Sequence, residues 1–345
     1  MQHMSNWKVA WHLDDIAKLR AGHDIIPRHV QIIISDLCNQ NCHFCAYRMD
    51  GGFSTELFSQ DGKKNPNRFI PTEKVKEILD DCADMGVKAI EFTGGGEPTV
   101  HKDWQQIIGY AQSLGLQTGL VTNGVRLKDC PEVRALTWLR ISLDAGTPET
   151  YEKVRQSTAW PKAMESLKMA GSIKGPLVGV GFVVTKENYK ELAQAARITK
   201  EAGIPYIRVS AMFSTYGEQY YNGIFLDISA QRLAAKRLET DEFKVVDFFV
   251  DRVADLKQHA PTYSFCGEQQ YVLYIGGDQN VYTCCTNAYT KHGLLGSLKE
   301  QRFSEFIENT RRYDFDARSC HDCQFNGKNE IISYLISEPA HVEFI

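Results

Sequence analysis

Between residues 29 and 213 the sequence alternates short β-rich runs with helix-like stretches, and this alternation restricts the fold more than any other feature. The runs are HVQIIIS (29–35), KAIEFTG (88–94), LQTGLVT (116–122), WLRISLD (138–144), LVGVGFVV (177–184) and YIRVSA (206–211). Near-continuous apolar strands separated by helices mean a parallel sheet covered by helices. Helical patterns fill 71–86, 102–115, 147–171 and 188–203; Pro71-Thr72-Glu73 opens the first, and Gly86, Gly115 and Gly203 are placed to end helices in the left-handed conformation. Six such units fall short of the eight that close a full barrel. The expected fold is therefore α/β, a partial (β/α)6 barrel of TIM-like character.

After the Tyr/Gly-rich connector FSTYGEQYYNGIF (213–225) the pattern changes. Helical segments at 229–239 and 247–258 precede a hairpin-like stretch, QYVLYIGGDQNVYTCC (270–285), and a last helix at 301–313. This gives an N-terminal extension (1–28), the barrel (29–225) and a smaller C-terminal region (226–345). No run of 18 apolar residues is present to span a membrane, and no charged start followed by an apolar stretch marks a secretory signal, so a cytoplasmic protein is expected. A net charge of −4 argues against a nucleic-acid partner.

Ten cysteines without an export signal point to metal ligands or reactive thiols rather than disulfides. An isolated one, Cys82 in EILDDCADMG, reads as a buried structural residue; clusters do not. In SDLCNQNCHFCAYR (35–48), Cys38, Cys42 and Cys45 follow the first strand run, at the carboxyl edge of the sheet where parallel α/β folds bind ligands. Zinc wants a fourth ligand, and His43 between two of the cysteines is badly placed to supply it. A cubane iron–sulfur cluster held by three thiolates keeps one iron open. FTGGGEPTVH (92–101) lies at the same edge: Gly94, Gly95 and Gly96 let backbone approach a ligand, Glu97 offers a carboxylate to an ammonium group, and Pro98 stiffens the exit.

C-x3-C-x2-C after the first strand and G-G-E after the second together resemble the radical S-adenosylmethionine superfamily, over about residues 29–213. The resemblance implies a [4Fe-4S] cluster whose open iron is chelated by the amino and carboxylate groups of S-adenosylmethionine. It implies reductive cleavage to methionine and a 5′-deoxyadenosyl radical, which abstracts a hydrogen atom from the substrate, with a flavodoxin- or ferredoxin-type reductant. Carried over by motif, Gly95, Gly96 and Glu97 bind the methionyl amino group and Phe44 contacts the adenine. Ser142 and Asp144 in ISLDAG resemble residues near the methionine carboxylate and ribose. Thr122 and Asn123 end the third strand, and Arg155, after the fourth, is a further cofactor-binding and catalytic candidate. Each has a plainer alternative: Ser142 or Asp144 as a helix cap, Arg155 as a solvated helix charge.

Cys266, Cys284, Cys285, Cys320 and Cys323 form a second group, with spacing similar to the Twitch half of a SPASM-type auxiliary domain; GLLGSLKEQRFSEFI (293–307) fits the same stretch. Four thiolates complete one auxiliary [4Fe-4S] cluster with no open iron. No cysteine follows Cys323, so one auxiliary cluster is expected. Cys284 and Cys285 are both candidate ligands, the family spacing favouring Cys284; structural zinc is the alternative occupant. Asn280 stands where that family often has Gly, and Asn also visits left-handed backbone.

In the family such domains support oxidation or bond formation on a peptide, as in the maturation of ribosomally made peptides. Dehydrogenation or epimerisation of a small metabolite such as a sugar or aminocyclitol is the alternative, and a non-catalytic electron-transfer or scaffold protein is the reading of another class. Epimerisation needs a hydrogen donor, for which Cys130, in the loop leaving the third strand, and Cys285 are the spare thiols. The segment 49–69 is expected to form a substrate-side lid. Only about 28 residues precede the first strand, too few for a leader-recognition domain, so a peptide substrate requires a separate recognition protein or direct binding. The closing PAHVEFI lacks the paired glycines of the molybdopterin-pathway cyclase that shares this architecture, so that activity is not expected.

Overall fold

The six apolar runs become six adjacent strands because each carries apolar side chains to both faces and needs cover on both. The computed structural model describes residues 4–54, 56–58, 68–337 and 341. Its elements in chain order are α1 (Leu13–Arg20), β1 (His29–Ile32), α2 (Thr72–Met85), β2 (Ala89–Phe92), α3 (Trp104–Ser113), β3 (Gln117–Thr122), α4 (Pro131–Arg134), β4 (Trp138–Ser142), α5 (Pro148–Arg155) and α6 (Trp160–Ser172). Then come β5 (Leu177–Val184), α7 (Leu192–Glu201), β6 (Tyr206–Ala211), α8 (Phe225–Lys236), β7 (Lys244–Asp247), α9 (Phe249–Gln258) and α10 (Glu268–Tyr271). The chain ends with β8 (Val272–Ile275), β9 (Asn280–Tyr282), β10 (Leu294–Ser297), α11 (Phe303–Asn309) and α12 (Asn326–Ile336). Gly86, Gly115 and Gly203 all take positive φ after α2, α3 and α7.

One ten-stranded sheet runs β10-β9-β8-β1-β2-β3-β4-β5-β6-β7. Strands β1 to β7 are parallel neighbours, so the expected six units gain a seventh: β7 pairs with β6 from Tyr206↔Lys244 to Val209↔Asp247. Its four residues KVVD hide the apolar pair between charges, which is why the run is inconspicuous. The sheet does not close, since β7 and β10 are its two edges. The hairpin expected at 270–285 forms as β8 and β9, but it is no separate layer. Strand β8 lies parallel to β1, from His29↔Val272 to Ile32↔Ile275. The boundary placed at 225/226 is therefore not a break in the sheet; the C-terminal region extends both of its edges.

Alternation along each strand divides the molecule. Ile90, Leu120, Leu139, Val180 and Ile207 are at most 1% exposed and lie in the main apolar core. Residues of opposite parity face the concave interior. There Gly119 and Gly179 make room for two rings: a Cβ on Gly119 would sit 2.2 Å from Trp138 Cε2, and one on Gly179 2.0 Å from Tyr206 Cζ. These rings fill the amino-terminal end and leave a cavity at the carboxyl end. The N-terminal extension is fastened by Arg312, which is 1% exposed and donates to Ile25 O and, at 2.8 Å, to Gln269 O.

The lid expected at 49–69 lies partly outside the described residues, as does most of PAHVEFI. Its described part bridges three regions: Gly51 O accepts from Thr215 N at 2.9 Å, Ser54 Oγ donates to Cys285 O and Thr286 O at 3.1 Å each, and Leu57 N donates to Tyr289 O at 2.6 Å.

Candidate functional site

A cavity of about 390 Å³ opens at the carboxyl ends of the strands and is lined by Cys38, Cys42 and Cys45. These thiols sit on the loop after β1, which has little regular structure of its own and is held by neighbours. Asn41 N donates to Arg155 O at 3.3 Å, and His43 N to Val154 O at 3.2 Å, both on α5. Burial pushes all three thiols up, and each has another of the three among the charges that reinforce the rise. Arg155 Nη1 donates to Cys42 Sγ at 3.6 Å and Asn123 Nδ2 to Cys38 Sγ at 3.9 Å. His43 lies 3.5 Å from Glu187 Oε2 instead of turning to the thiols.

Phe44, Gly95, Gly96, Glu97, Thr122, Asn123, Ser142, Asp144 and Arg155 all line the same cavity. Glu97 is 3% exposed, with Oε1 accepting from Thr99 Oγ1 and Thr122 Oγ1 at 2.6 Å each and Oε2 from Asn123 N at 2.7 Å. The ends of β2 and β3 are thus pinned to one carboxylate. The glycines before it also make room for the chain itself. A Cβ on Gly96 would sit 2.3 Å from Leu37 O, so its missing side chain is the space that the cysteine loop occupies.

Asp144 does not cap the next helix; Thr147 does, accepting from Thr150 N at 3.2 Å. Asp144 takes φ 57° and pairs with Arg155 Nη2, while Val183 N donates to its Oδ1 at 2.6 Å. Burial raises the Asp144 carboxyl, and Arg155 opposes that rise. Arg155 is 5% exposed, so it is no solvated helix charge. It donates to Gln40 Oε1 at 3.1 Å and stands 5.8 Å from the Phe44 ring centroid.

Cys266, Cys284, Cys320 and Cys323 line a second, smaller cavity of about 20 Å³. Burial raises each of them, Cys320 to about 11. Donors surround the sulfurs: Tyr263 Oη and Phe325 N on Cys323 at 3.2 and 3.3 Å, and Asn287 Nδ2 on Cys320 at 3.2 Å. Cys285 is absent from this lining and belongs to the first cavity, where its Sγ accepts from Gln324 Nε2 at 2.9 Å. Among the described residues, no three His, Cys, Asp or Glu side chains gather around a single-ion position. A tetrahedral zinc with Zn–S near 2.3 Å draws its sulfurs within about 4 Å of each other, whereas a cubane takes one thiolate per iron.

Two expectations are corrected. Cys130 does not face either cavity; it precedes α4 beside Gln105 and Glu132, because eight residues after Thr122 are enough to carry the chain back over the outside of the sheet. Asn280 lies within β9 and is not left-handed; Gln279 is, at φ 64°. Residues the sequence did not single out also reach the first cavity, among them Arg208, Arg252 and Gln324. Arg208 carries a signal: a charge at an inward position of the apolar run YIRVSA.

The fold is an open, mostly parallel α/β sheet with three thiols, a glycine–glutamate turn and a buried Asp–Arg pair around one cavity, the kind of cleft that small ligands occupy. Residues 32–199 match the family model of the radical SAM superfamily. A probable GTP 3′,8-cyclase of Saccharolobus islandicus is 22% identical over 233 residues, and the alignment covers 66% of each chain, just under two thirds of that relative. The tungsten-containing aldehyde ferredoxin oxidoreductase cofactor-modifying protein of Pyrococcus furiosus is 24% identical over 333 residues, 86% of this chain and 87% of that one. Among solved structures, Streptococcus suis SuiB bound to precursor peptide SuiA superposes with TM-score 0.61 at 16% identity, covering 87% of this chain and 69% of that. The anSMEcpe structure with bound AdoMet gives 0.58 at 14%, covering 84% and 83%. At those identities the likeness is one of fold.

Proposed function

We propose that the chain is an enzyme that reductively cleaves S-adenosylmethionine and uses the resulting radical to abstract a hydrogen atom from a peptide. The observation that carries the reading is the single cavity shared by Cys38, Cys42, Cys45, the Gly95-Gly96-Glu97 turn and the Asp144–Arg155 pair. Three half-buried thiols with raised pKa fit a metal cluster, because cationic iron is what allows neighbouring thiols to lose their protons together. Cys38, Cys42 and Cys45 would hold a [4Fe-4S] cluster, which supplies the electron for cleavage. Glu97 would accept from the methionyl ammonium, its carboxylate held in place by Thr99, Thr122 and Asn123. Asp144 and Ser142 would face the ribose and carboxylate, Arg155 would balance charge beside Cys42, and Phe44 would pack the adenine.

Cys266, Cys284, Cys320 and Cys323 would hold one auxiliary [4Fe-4S] cluster, and the hydrogen bonds on their sulfurs would tune its potential. An auxiliary cluster next to the main cavity suits removal of an electron from the substrate, hence oxidation or bond formation, with a flavodoxin or ferredoxin supplying the electron for cleavage. A peptide is the class held by the S. suis neighbour of similar fold. A second reading, epimerisation, is favoured by Cys285, a thiol that lines the main cavity and would return a hydrogen atom to the substrate.

The test is 5′-deoxyadenosine release by anaerobically reconstituted protein with dithionite and S-adenosylmethionine. Release that disappears on Cys42→Ala supports the reading. No release from protein with both clusters intact, and no change in the cluster EPR signal on adding S-adenosylmethionine, would favour an electron-transfer or scaffold role.

A further inference from the structure

Strand β6, the first turns of α9 and the chain at 285–286 and 324 form part of the wall of the main cavity. Its charges do not balance. Arg208 points inward from β6 and lines the cavity. Arg252 lines it too, and is satisfied by Asp255 Oδ2 at 3.0 Å and by Gln324 O. Arg140, on the neighbouring interior surface, lies 5.6 Å from the Trp138 ring centroid. The carboxylate in reach, Glu91, accepts from Gln31 Nε2 at 3.1 Å and stands 3.5 Å from His29.

Arg208 has no hydrogen-bond or ion-pair partner among the described residues. Its contact is the Phe248 ring, 5.1 Å from the guanidinium carbon. One face of the guanidinium is thereby covered while its N–H edges stay open to the cavity. Burial, then Arg140 and Arg252, push its pKa down to about 9. A half-buried guanidinium that lines a cavity beside other cations, with no counter-ion among the described residues, is suited to receive an anion. Its planar fork of donors matches a carboxylate or phosphate in bidentate fashion.

We propose that Arg208, supported by Arg252, binds an anionic head group of the substrate, a carboxylate or a phosphate, and so orients the substrate against the radical-generating end of the cavity. The proposal rests on reading this cavity as the reaction site, and its test does not depend on turnover. The anaerobic holoenzyme is treated with phenylglyoxal, which attacks guanidino groups that lose their proton readily, and modified arginines are mapped by mass spectrometry. The reaction is run with S-adenosylmethionine alone, then with added succinate, and separately with added inorganic phosphate.

Arg208 is expected among the fastest-modified arginines, protected by about tenfold by the anion type that the site prefers. Succinate protecting where phosphate does not assigns a carboxylate, and the reverse assigns a phosphate. In an orthogonal measurement, the protecting anion raises the Tm of wild-type protein and of Arg208→Lys less strongly, and leaves Arg208→Gln unmoved. An unreactive Arg208, or one protected by neither anion, overturns the proposal. So does protection by S-adenosylmethionine alone, which would give Arg208 to the cosubstrate. Loss of 5′-deoxyadenosine release with the protection intact would instead refute the radical reading and leave the anion site standing.

Discussion

Placing a methyl group on Gly96 tests the claim that the glycine run is there for the cysteine loop as much as for a ligand. A Cβ at this position would lie 2.3 Å from Leu37 O and 2.5 Å from both Asp36 C and Ser35 O. Carbon–oxygen contacts normally begin near 3.3 Å, so the overlap is about 1 Å, and every atom in the way is backbone. The two segments are also tied together: Glu97 N donates to Leu37 O at 2.8 Å, and Ser35 Oγ bonds both Leu37 N and Leu37 O at 3.1 Å. Overpacking usually costs 1–3 kcal/mol, and the rigid surroundings put Gly96→Ala at about 3 kcal/mol. Gly95 is the control. Its Cβ would meet Phe58 Cε2 at 2.8 Å and Tyr289 Cε2 at 3.4 Å, rings that can tilt, so Gly95→Ala should cost about 1 kcal/mol. Denaturant unfolding of the metal-free proteins measures both, and iron retained after reconstitution shows whether the cysteine loop has moved. A Gly96→Ala protein within about 0.5 kcal/mol of wild type, or no less stable than Gly95→Ala, would refute the packing argument.

Arg312→Met keeps the volume but strips the buried donors from Ile25 O and Gln269 O, and should lower unfolding free energy by about 3 kcal/mol in the same assay. Replacing Cys320 and Cys323 by Ala should lower the iron content of reconstituted protein from about eight to about four per chain, since each cubane holds four; unchanged iron would remove the auxiliary cluster. Burial holds His29 below its ordinary pKa, so the unfolded chain takes up a proton that the fold resists. Its contribution is whole above pH 6.5 and is lost as pH falls below that value, at up to about 1.4 kcal/mol per pH unit. His29→Gln should therefore flatten the decline of stability between pH 6.5 and 5.

Strands β1 to β6 were legible because period and composition are local properties, read directly from runs such as LVGVGFVV. The parallel docking of β8 on β1 was not, because it joins segments 243 residues apart and nothing in either one announces the other. Arg155 shows the same limit at the site. One basic residue in the last turn of a helix looks solvated in sequence, and its burial depends on a cysteine loop folded across α5. Cys130 failed for a related reason: position after a strand fixes which edge a loop leaves from, and says little about where the chain is eight residues later. The left-handed residue of the hairpin moved by one position, from Asn280 to Gln279, because ladder register and not residue preference decides which of two neighbours turns.

Cys284 and Cys285 line different cavities although they are neighbours in the chain. Past β9 the chain bends at Thr283 and enters a turn at Cys285, and the two neighbouring thiols part there. Cys284 consequently joins Cys266, Cys320 and Cys323, while Cys285 faces the chamber of Cys38, Cys42 and Cys45. Thr286 lines both cavities, so the partition there is a single layer of main chain. Gln324 reinforces it, donating to Cys285 Sγ at 2.9 Å and to Thr286 Oγ1 at 2.8 Å one residue after Cys323. A wall this thin, with a thiol on each face, makes the two sites neighbours through covalent bonds. Any ligand that shifts residues 284–286 in one cavity must move a side chain in the other.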